Sequence, residues 1–147
     1  MNNQQIEKLT NQFETPLYVF DISVLKARVA ALRNALPQGV NLCFAVKANT
    51  FIIRELVQVI DRLELCSPGE AEICERLSVP AQKMVISGVN KTPAFIEDLV
   101  SKKQDLGVYT VDSMAQFHLL STLAHKSGVR PPILLRLTSR TQFGLHE

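Results

Sequence analysis

An α/β fold built from parallel βαβ units is what this sequence predicts, and three observations predict it. Short runs rich in aliphatic and β-branched residues alternate with longer segments whose apolar residues recur at helical spacing. Comparable positions in successive runs, Val46, Cys66, Ile86, Tyr109 and Leu135, lie 20, 20, 23 and 26 residues apart. Turn and cap residues stand at the joints between the two kinds of segment. That pace suits a (β/α) barrel and a doubly wound sheet alike.

The elements follow in order. Residues 3–13 read as a short polar helix, and Thr15-Pro16 ends it, because the residue before proline avoids the helical region. Leu17-Tyr18-Val19-Phe20 reads as a strand on β-propensity. Asp21 or Ser23 can cap the next helix, whose Leu25, Val29, Leu32 and Leu36 share a face; Pro37 and Gly39 stop it. A strand over 42–47 is followed by a helix burying Ile52, Ile53, Leu56, Val57 and Ile60. A strand over 63–66 leads to a helix that starts near Pro68. A strand over 84–87 precedes Thr92-Pro93, a cap with proline at the first helical position, and a helix burying Phe95, Ile96, Leu99 and Val100. A strand over 107–111 leads to Ser113-Met114-Ala115-Gln116, a capping box, whose helix turns Met114, Phe117 and Leu120 or Leu123 inward. A strand over 133–137 comes last.

Composition narrows the class. With 46% hydrophobic and 20% charged residues the chain is ordinary for a globular protein. Sixteen basic against 14 acidic residues leave a formal charge of +2, which makes no electrostatic case for nucleic acid or an anionic membrane. The start lacks an apolar h-region, and no apolar run approaches the ~20 residues that span a bilayer. Cys43, Cys66 and Cys74 lack metal-ligand spacing; a reducing, cytoplasmic setting is the expectation. Glycine-rich dinucleotide and phosphate loops are missing after the first repeat strand. A full (β/α) barrel takes ~250 residues, so five units in 147 predict either an open sheet or the first part of a longer protein.

Several residues stand where chemistry is built. Lys47 ends the apolar run Leu42-Cys43-Phe44-Ala45-Val46, at the carboxyl end of its strand. Its ammonium either reaches water along a packed stem or is desolvated for a task. Ser67 and Glu70, taken alone, read as a cap with proline at N1 rather than as a site. Glu64 shares a strand face with Cys66: it pairs with Lys47 in a barrel lumen, or it is solvated. Arg136 is a mid-strand arginine in need of an acceptor; in a barrel it could join Lys47 and Glu64 on one anionic ligand, and on an edge strand it would point outward. His118 and His125, seven residues apart, fit a solvated helix surface.

Taken together, the motifs resemble a known family. Thr15-Pro16-Leu17-Tyr18-Val19-Phe20-Asp21, Phe44-Ala45-Val46-Lys47-Ala48-Asn49, Glu64-Leu65-Cys66-Ser67-Pro68-Gly69-Glu70 and Ile86-Ser87-Gly88-Val89-Asn90-Lys91 stand in order. Tyr109-Thr110-Val111-Asp112-Ser113, Leu135-Arg136-Leu137 and Gln142-Phe143-Gly144 complete the series. The chain resembles, from about Phe13 onward, the amino-terminal part of the pyridoxal-phosphate-dependent decarboxylases of the alanine-racemase-like fold, the diaminopimelate, ornithine and arginine decarboxylase group.

The resemblance implies a (β/α)8 TIM barrel of the pyridoxal-phosphate-binding type, present here as about five units over 23–147. Residues 1–22 would be a helix and strand that pack toward a carboxyl-terminal β-domain. It implies pyridoxal 5'-phosphate as cofactor, a Schiff base on Lys47, and cofactor-binding roles for Glu64, Ser67, Glu70 and Arg136. Glu64 stands where the family usually has aspartate, and Gln142 where a lysine often precedes Phe-Gly. The implied substrate is an amino acid, and the implied full-length form a cytoplasmic homodimer. The family's phosphate-binding glycines, the acid facing the ring nitrogen and the partner-subunit residues would lie downstream, so the 147 residues alone are expected to have little activity. Alanine racemases usually continue after the lysine with Ala-Asn-Ala-Tyr-Gly-His-Gly; Ala48-Asn49-Thr50-Phe51 departs from that and favours the decarboxylase branch. A non-catalytic half-barrel that pairs with or regulates a decarboxylase is the alternative.

Overall fold

The structure, a computed structural model, describes residues 1–47, 49–101 and 106–137. They fall into two compact units, Met1–Val40 and a larger one beginning at Asn41.

In the first unit, α1 (Asn3–Gln12) buries no residue. Asn2 and Gln5 cap it reciprocally: the Asn2 side chain accepts the Gln5 N–H at 3.0 Å, and the Gln5 carboxamide accepts the Asn2 N–H at 2.8 Å. α2 (Ile22–Ala35) begins at Asp21. One Asp21 oxygen accepts the Ser23 hydroxyl at 2.6 Å and the N–H groups of Ser23 and Val24 at 3.0 and 3.3 Å. These bonds hold the Asp21 carboxyl below its ordinary pKa, the Ser23 hydroxyl most of all. The expected apolar face buries only Val29; Leu32 and Leu36 are exposed. The strand expected at Leu17–Phe20 is not formed: the sheet does not include it. Propensity sets which backbone shapes residues tolerate, whereas a strand needs a neighbour's ladder hydrogen bonds.

The second unit alternates strand and helix: β1 (Cys43–Ala45), α3 (Ile53–Leu56), β2 (Arg62–Leu65), α4 (Pro68–Arg76), β3 (Met84–Ile86), α5 (Pro93–Ser101), β4 (Val108–Val111), α6 (Met114–Ser127) and β5 (Ile133–Leu135). All neighbouring strands are parallel, in the order β1-β2-β3-β4-β5. Consecutive order without reversal is the winding of a barrel, since a doubly wound sheet reverses at a switch point. Leu65, Ile86, Tyr109 and Ile133 lie side by side in register. The comparable positions expected from spacing are thus one residue off at Cys66 and two at Leu135, because sequence spacing also counts connection length.

One face of the sheet packs under the helices. Leu63, Leu65, Met84, Ile86, Tyr109 and Val111 are buried there with Ala71, Cys74, Ile96, Leu99, Val100, Leu120, Leu123 and Ala124 from α4 to α6. Ile133 and Leu135 continue that face yet are exposed; no helix following β5 is among the described residues. α3 is a single turn, shorter than expected, although Ile52, Ile53, Leu56 and Ile60 are buried as expected. The β-branched Val57, Val59 and Ile60 that follow favour helix less. In α6, Met114 and Phe117 are exposed rather than inward, because the buried stripe starts one turn later at Leu120. Glycine is required twice: Gly107 passes so close to Met84 O and Ala81 O that a Cβ would overlap both, and Gly88 has φ +76° beside Cys66. Among the described residues no helix is long and apolar enough to cross a membrane.

Candidate active site

The five residues singled out from the sequence lie on β2, just past the ends of β1, β2 and β5, or, for Glu70, in the first turn of the helix after β2. The carboxyl ends of such strands are where (β/α) folds build sites, since the loops there vary without disturbing the core.

Lys47 follows β1. Val46 is fully buried and its N–H donates to Glu64 O at 3.0 Å, which carries the β1–β2 pairing one residue beyond the strand. The chain then leaves the ladder: Lys47 takes φ +42°, and the Asn49 N–H closes back on Val46 O at 2.9 Å. A left-handed lysine carries a conformational cost of ~1–2 kcal/mol, and such outliers concentrate at functional sites. The side chain is exposed and makes no ion pair among the described residues. A desolvated Lys47, one of the two expectations, is therefore not found: among the described residues β1 is an edge strand, and the turn carries Lys47 out toward water. Asn49 Oδ1 is buried without a hydrogen-bond donor among the described residues, an unmet acceptor two residues from the amine.

Glu64 is half-buried and lies in register between Ala45 and Val85. It shares the face of Cys43 and Cys66, opposite buried Leu63 and Leu65. Burial pushes the Cys43 thiol pKa up, and the Glu64 charge adds to the rise while Arg62 opposes it. Glu64 has no ion pair with Lys47 among the described residues. Two residues of strand rise, ~6.6 Å, separate its level from that of Lys47.

Ser67 and Glu70 cap α4. Ser67 Oγ accepts the Glu70 N–H at 3.3 Å and donates to Glu70 Oε1 at 3.0 Å, while Glu70 Oε2 accepts the Cys66 N–H at 2.9 Å. Both carboxylate oxygens are thus engaged at the helix start. α6 repeats the device: Gln116 Oε1 accepts the Asp112 N–H at 2.9 Å, and the Gln116 N–H donates to Ser113 Oγ at 3.3 Å.

Arg136 follows β5. Its side chain is 73% exposed, and Nη1 lies 3.4 Å from Asp112 Oδ1. Its partner is therefore on β4's end, and the convergence expected of Lys47, Glu64 and Arg136 is not seen among the described residues. Arg136 and Asp112 border an open, mainly apolar cavity of about 430 Å³, with Met114, Phe117, Leu135 and Leu137. Lys91 approaches Asp112 from the other side at 3.0 Å. The Lys91 hydrogen bond is the main cause holding the Asp112 carboxyl below its ordinary pKa. Lys91, Asp112 and Asn49 are residues that single-residue reasoning missed. All three stood within the quoted motifs; only their pairing, or its lack, was invisible. Gln142-Phe143-Gly144 and His146 lie outside the described residues.

The rim of the sheet thus offers an exposed primary amine, a half-buried carboxylate and a guanidinium with spare donors. The family model described as "Pyridoxal-dependent decarboxylase, pyridoxal binding domain" matches residues 22–147. Diaminopimelate decarboxylase of Aquifex aeolicus is 29% identical over 134 residues, 90% of this chain and 31% of the relative. Diaminopimelate decarboxylase of Vibrio cholerae is 31% identical over 132 residues, 88% and 31% respectively. The crystal structure of lysine/ornithine decarboxylase from Vibrio vulnificus, complexed with putrescine, superposes with a TM-score of 0.75 at 28% identity, covering 94% of this chain and 37% of that one. The chain spans about a third of the length of these relatives.

Proposed function

The chain belongs to the pyridoxal-dependent decarboxylases through their pyridoxal-binding domain, and from that premise we propose that Lys47 is the amine that anchors pyridoxal 5'-phosphate for decarboxylation of a diaminopimelate-, ornithine-, lysine- or arginine-like amino acid. The observation that carries the reading is Lys47 itself: exposed, left-handed at a strand end, and without a counter-ion among the described residues. A carbonyl-reactive lysine needs that freedom, since an amine held in an ion pair must first break it.

The residues present fit the cofactor. Asn49 Oδ1, two residues along the turn from Lys47, is a buried acceptor with no donor among the described residues, and Arg136 brings cationic donors to the same end of the sheet. When bound, the cofactor's ring takes up the electron pair left by departing carbon dioxide. Lys47 supplies covalent attachment and, as a primary amine, can carry a proton to or from the reacting carbon. Glu64 sets a carboxylate on the β2 face opposite the buried Leu63 and Leu65, in register with Ala45, two residues before Lys47. Ser67 and Glu70 act through the backbone: by fixing the start of α4 they hold the turn after β2. Arg136 binds an anionic group.

Turnover, in this proposal, requires strands beyond the five described, because β1 and β5 have a neighbour on one side only among the described residues, and a homodimer in the full-length protein. The segment 1–22 would serve the family's second domain. The test is borohydride reduction of the protein incubated with pyridoxal phosphate, followed by peptide mass spectrometry. A reduced adduct at Lys47, lost in Lys47→Ala, is expected. Labels scattered over surface lysines, or none at Lys47, would overturn the assignment whether or not turnover is measured.

A further inference from the structure

Among the described residues the buried cation is Lys91, not Lys47. The Lys91 side chain is 4% exposed, and its ammonium points at Gly88 O, at Asp112 Oδ2 3.0 Å away and at Gln116 Oε1 3.4 Å away. An ammonium has three N–H donors, so none remains for a ligand. A buried charge stays ionised only where a partner compensates it, and Asp112 is that partner.

Asp112 is shared. Its Oδ2 faces Lys91 inside, and its Oδ1 faces Arg136 outside at 3.4 Å. Among the described residues, one carboxylate between two cations leaves one positive charge uncancelled. Lys91 is saturated and enclosed, so the surplus sits on the 73% exposed guanidinium of Arg136. The Asp112–Arg136 distance is longer than the ~2.7–2.9 Å of a strong charged hydrogen bond, and it engages one nitrogen. An arginine facing an aspartate alone prefers the bidentate fork. Here the guanidinium meets Oδ1 alone, while Oδ2 is turned to Lys91.

We propose that Lys91 is a positioning residue: acting through Asp112, it keeps Arg136 singly tethered and net positive, as the binding group for an oxyanion at the ends of β4 and β5. The inference deepens the decarboxylase reading and rests on it only for the oxyanion's origin, which is the phosphate of the cofactor or the carboxylate of the substrate.

The test uses the full chain without cofactor. The Arg136 Nε–Hε resonance, assigned by its loss in Arg136→Lys, is followed during titration with inorganic phosphate in one arm and acetate in the other. Whichever anion shifts it at lower concentration identifies the source; no shift with either overturns the proposal. Lys91→Met should weaken anion binding about tenfold, because Asp112 then captures the guanidinium. Lys91→Arg should retain most of the affinity, and Lys91→Met with Asp112→Asn should restore it to within about threefold of wild type. A purely structural Lys91 would lower the unfolding midpoint and leave the affinity of the folded protein unchanged, which would overturn the proposal, as would a double variant that fails to recover. If Lys91→Met does not fold, the isosteric Asp112→Asn alone decides: freeing Arg136 should tighten anion binding, and unchanged or weaker binding refutes the tether. Borohydride labelling of Lys47 separates the two claims. Labelling with an inert Arg136 sinks this inference alone; anion binding at Arg136 without labelling sinks the decarboxylase reading alone.

Discussion

Gly88→Ala tests whether the end of β3 really crosses the end of β2 as closely as the structure has it. Two costs combine. Gly88 has φ +76°, where an L-residue loses ~1–2 kcal/mol. An added Cβ would also lie 2.9 Å from Cys66 O and 3.2 Å from Cys66 Cα and Cβ. That neighbour cannot swing aside. The Cys66 N–H is held by Glu70 at 2.9 Å, and Leu65 O accepts the Ser87 N–H at 2.8 Å. Forcing a fixed neighbour apart costs ~1–3 kcal/mol, so the total is ~2–5 kcal/mol. Gly128→Ala is the internal control: Gly128, which ends α6, has φ +67° with nothing within 4 Å of an added Cβ, so only the backbone cost of ~1–2 kcal/mol applies. Urea unfolding should place Gly88→Ala ~1–3 kcal/mol below Gly128→Ala with unchanged m-values. Equal losses in the two variants would refute the close crossing, and with it the account of how Ser67 and Glu70 are held near the strand ends.

Three further outcomes follow from single features. Ser67→Ala should cost ~1 kcal/mol in thermal unfolding, the usual loss of a helix cap, and Glu70→Gln should cost less than Glu70→Leu because the amide still offers one acceptor. Burial pushes the Tyr109 hydroxyl pKa up to about 12 from 10.0. The folded state thus favours the neutral form: the stabilisation is complete below pH 10 and is lost as pH rises from 10 toward 12, ~1.4 kcal/mol per unit and ~3 kcal/mol in all. Tyr109→Phe should abolish that alkaline limb in a pH series of denaturant midpoints. Asp112, held below its usual 3.8 chiefly by Lys91, behaves oppositely: its contribution is present above pH 3.8 and fades as pH falls through the lowered folded value, so Asp112→Asn should flatten the acid limb.

Much of this protein is legible without coordinates because its determinants are local. The Ser67 and Ser113 caps are written in tetrads whose partners are three residues apart, and helical stripes such as Ile96, Leu99 and Val100 are buried where periodicity puts them. The ordered motifs from Thr15 to Gly144 carried the family, which the match over residues 22–147 shows. What the sequence could not decide depends on partners far along the chain. Barrel winding and doubly wound winding share one local pattern, and only the strand order separates them. Leu17–Phe20 has strand-forming residues but no place in the sheet. Exposure at Lys47 follows from its lying past a strand that is at the edge of the sheet among the described residues, a property of neighbours rather than of the run that contains it. The pairing of Lys91 with Asp112, 21 residues away, and of Asp112 with Arg136, 24 residues away, exists because parallel strands stack their ends. A charge's partner is set by that stacking, and no spacing within one segment encodes it.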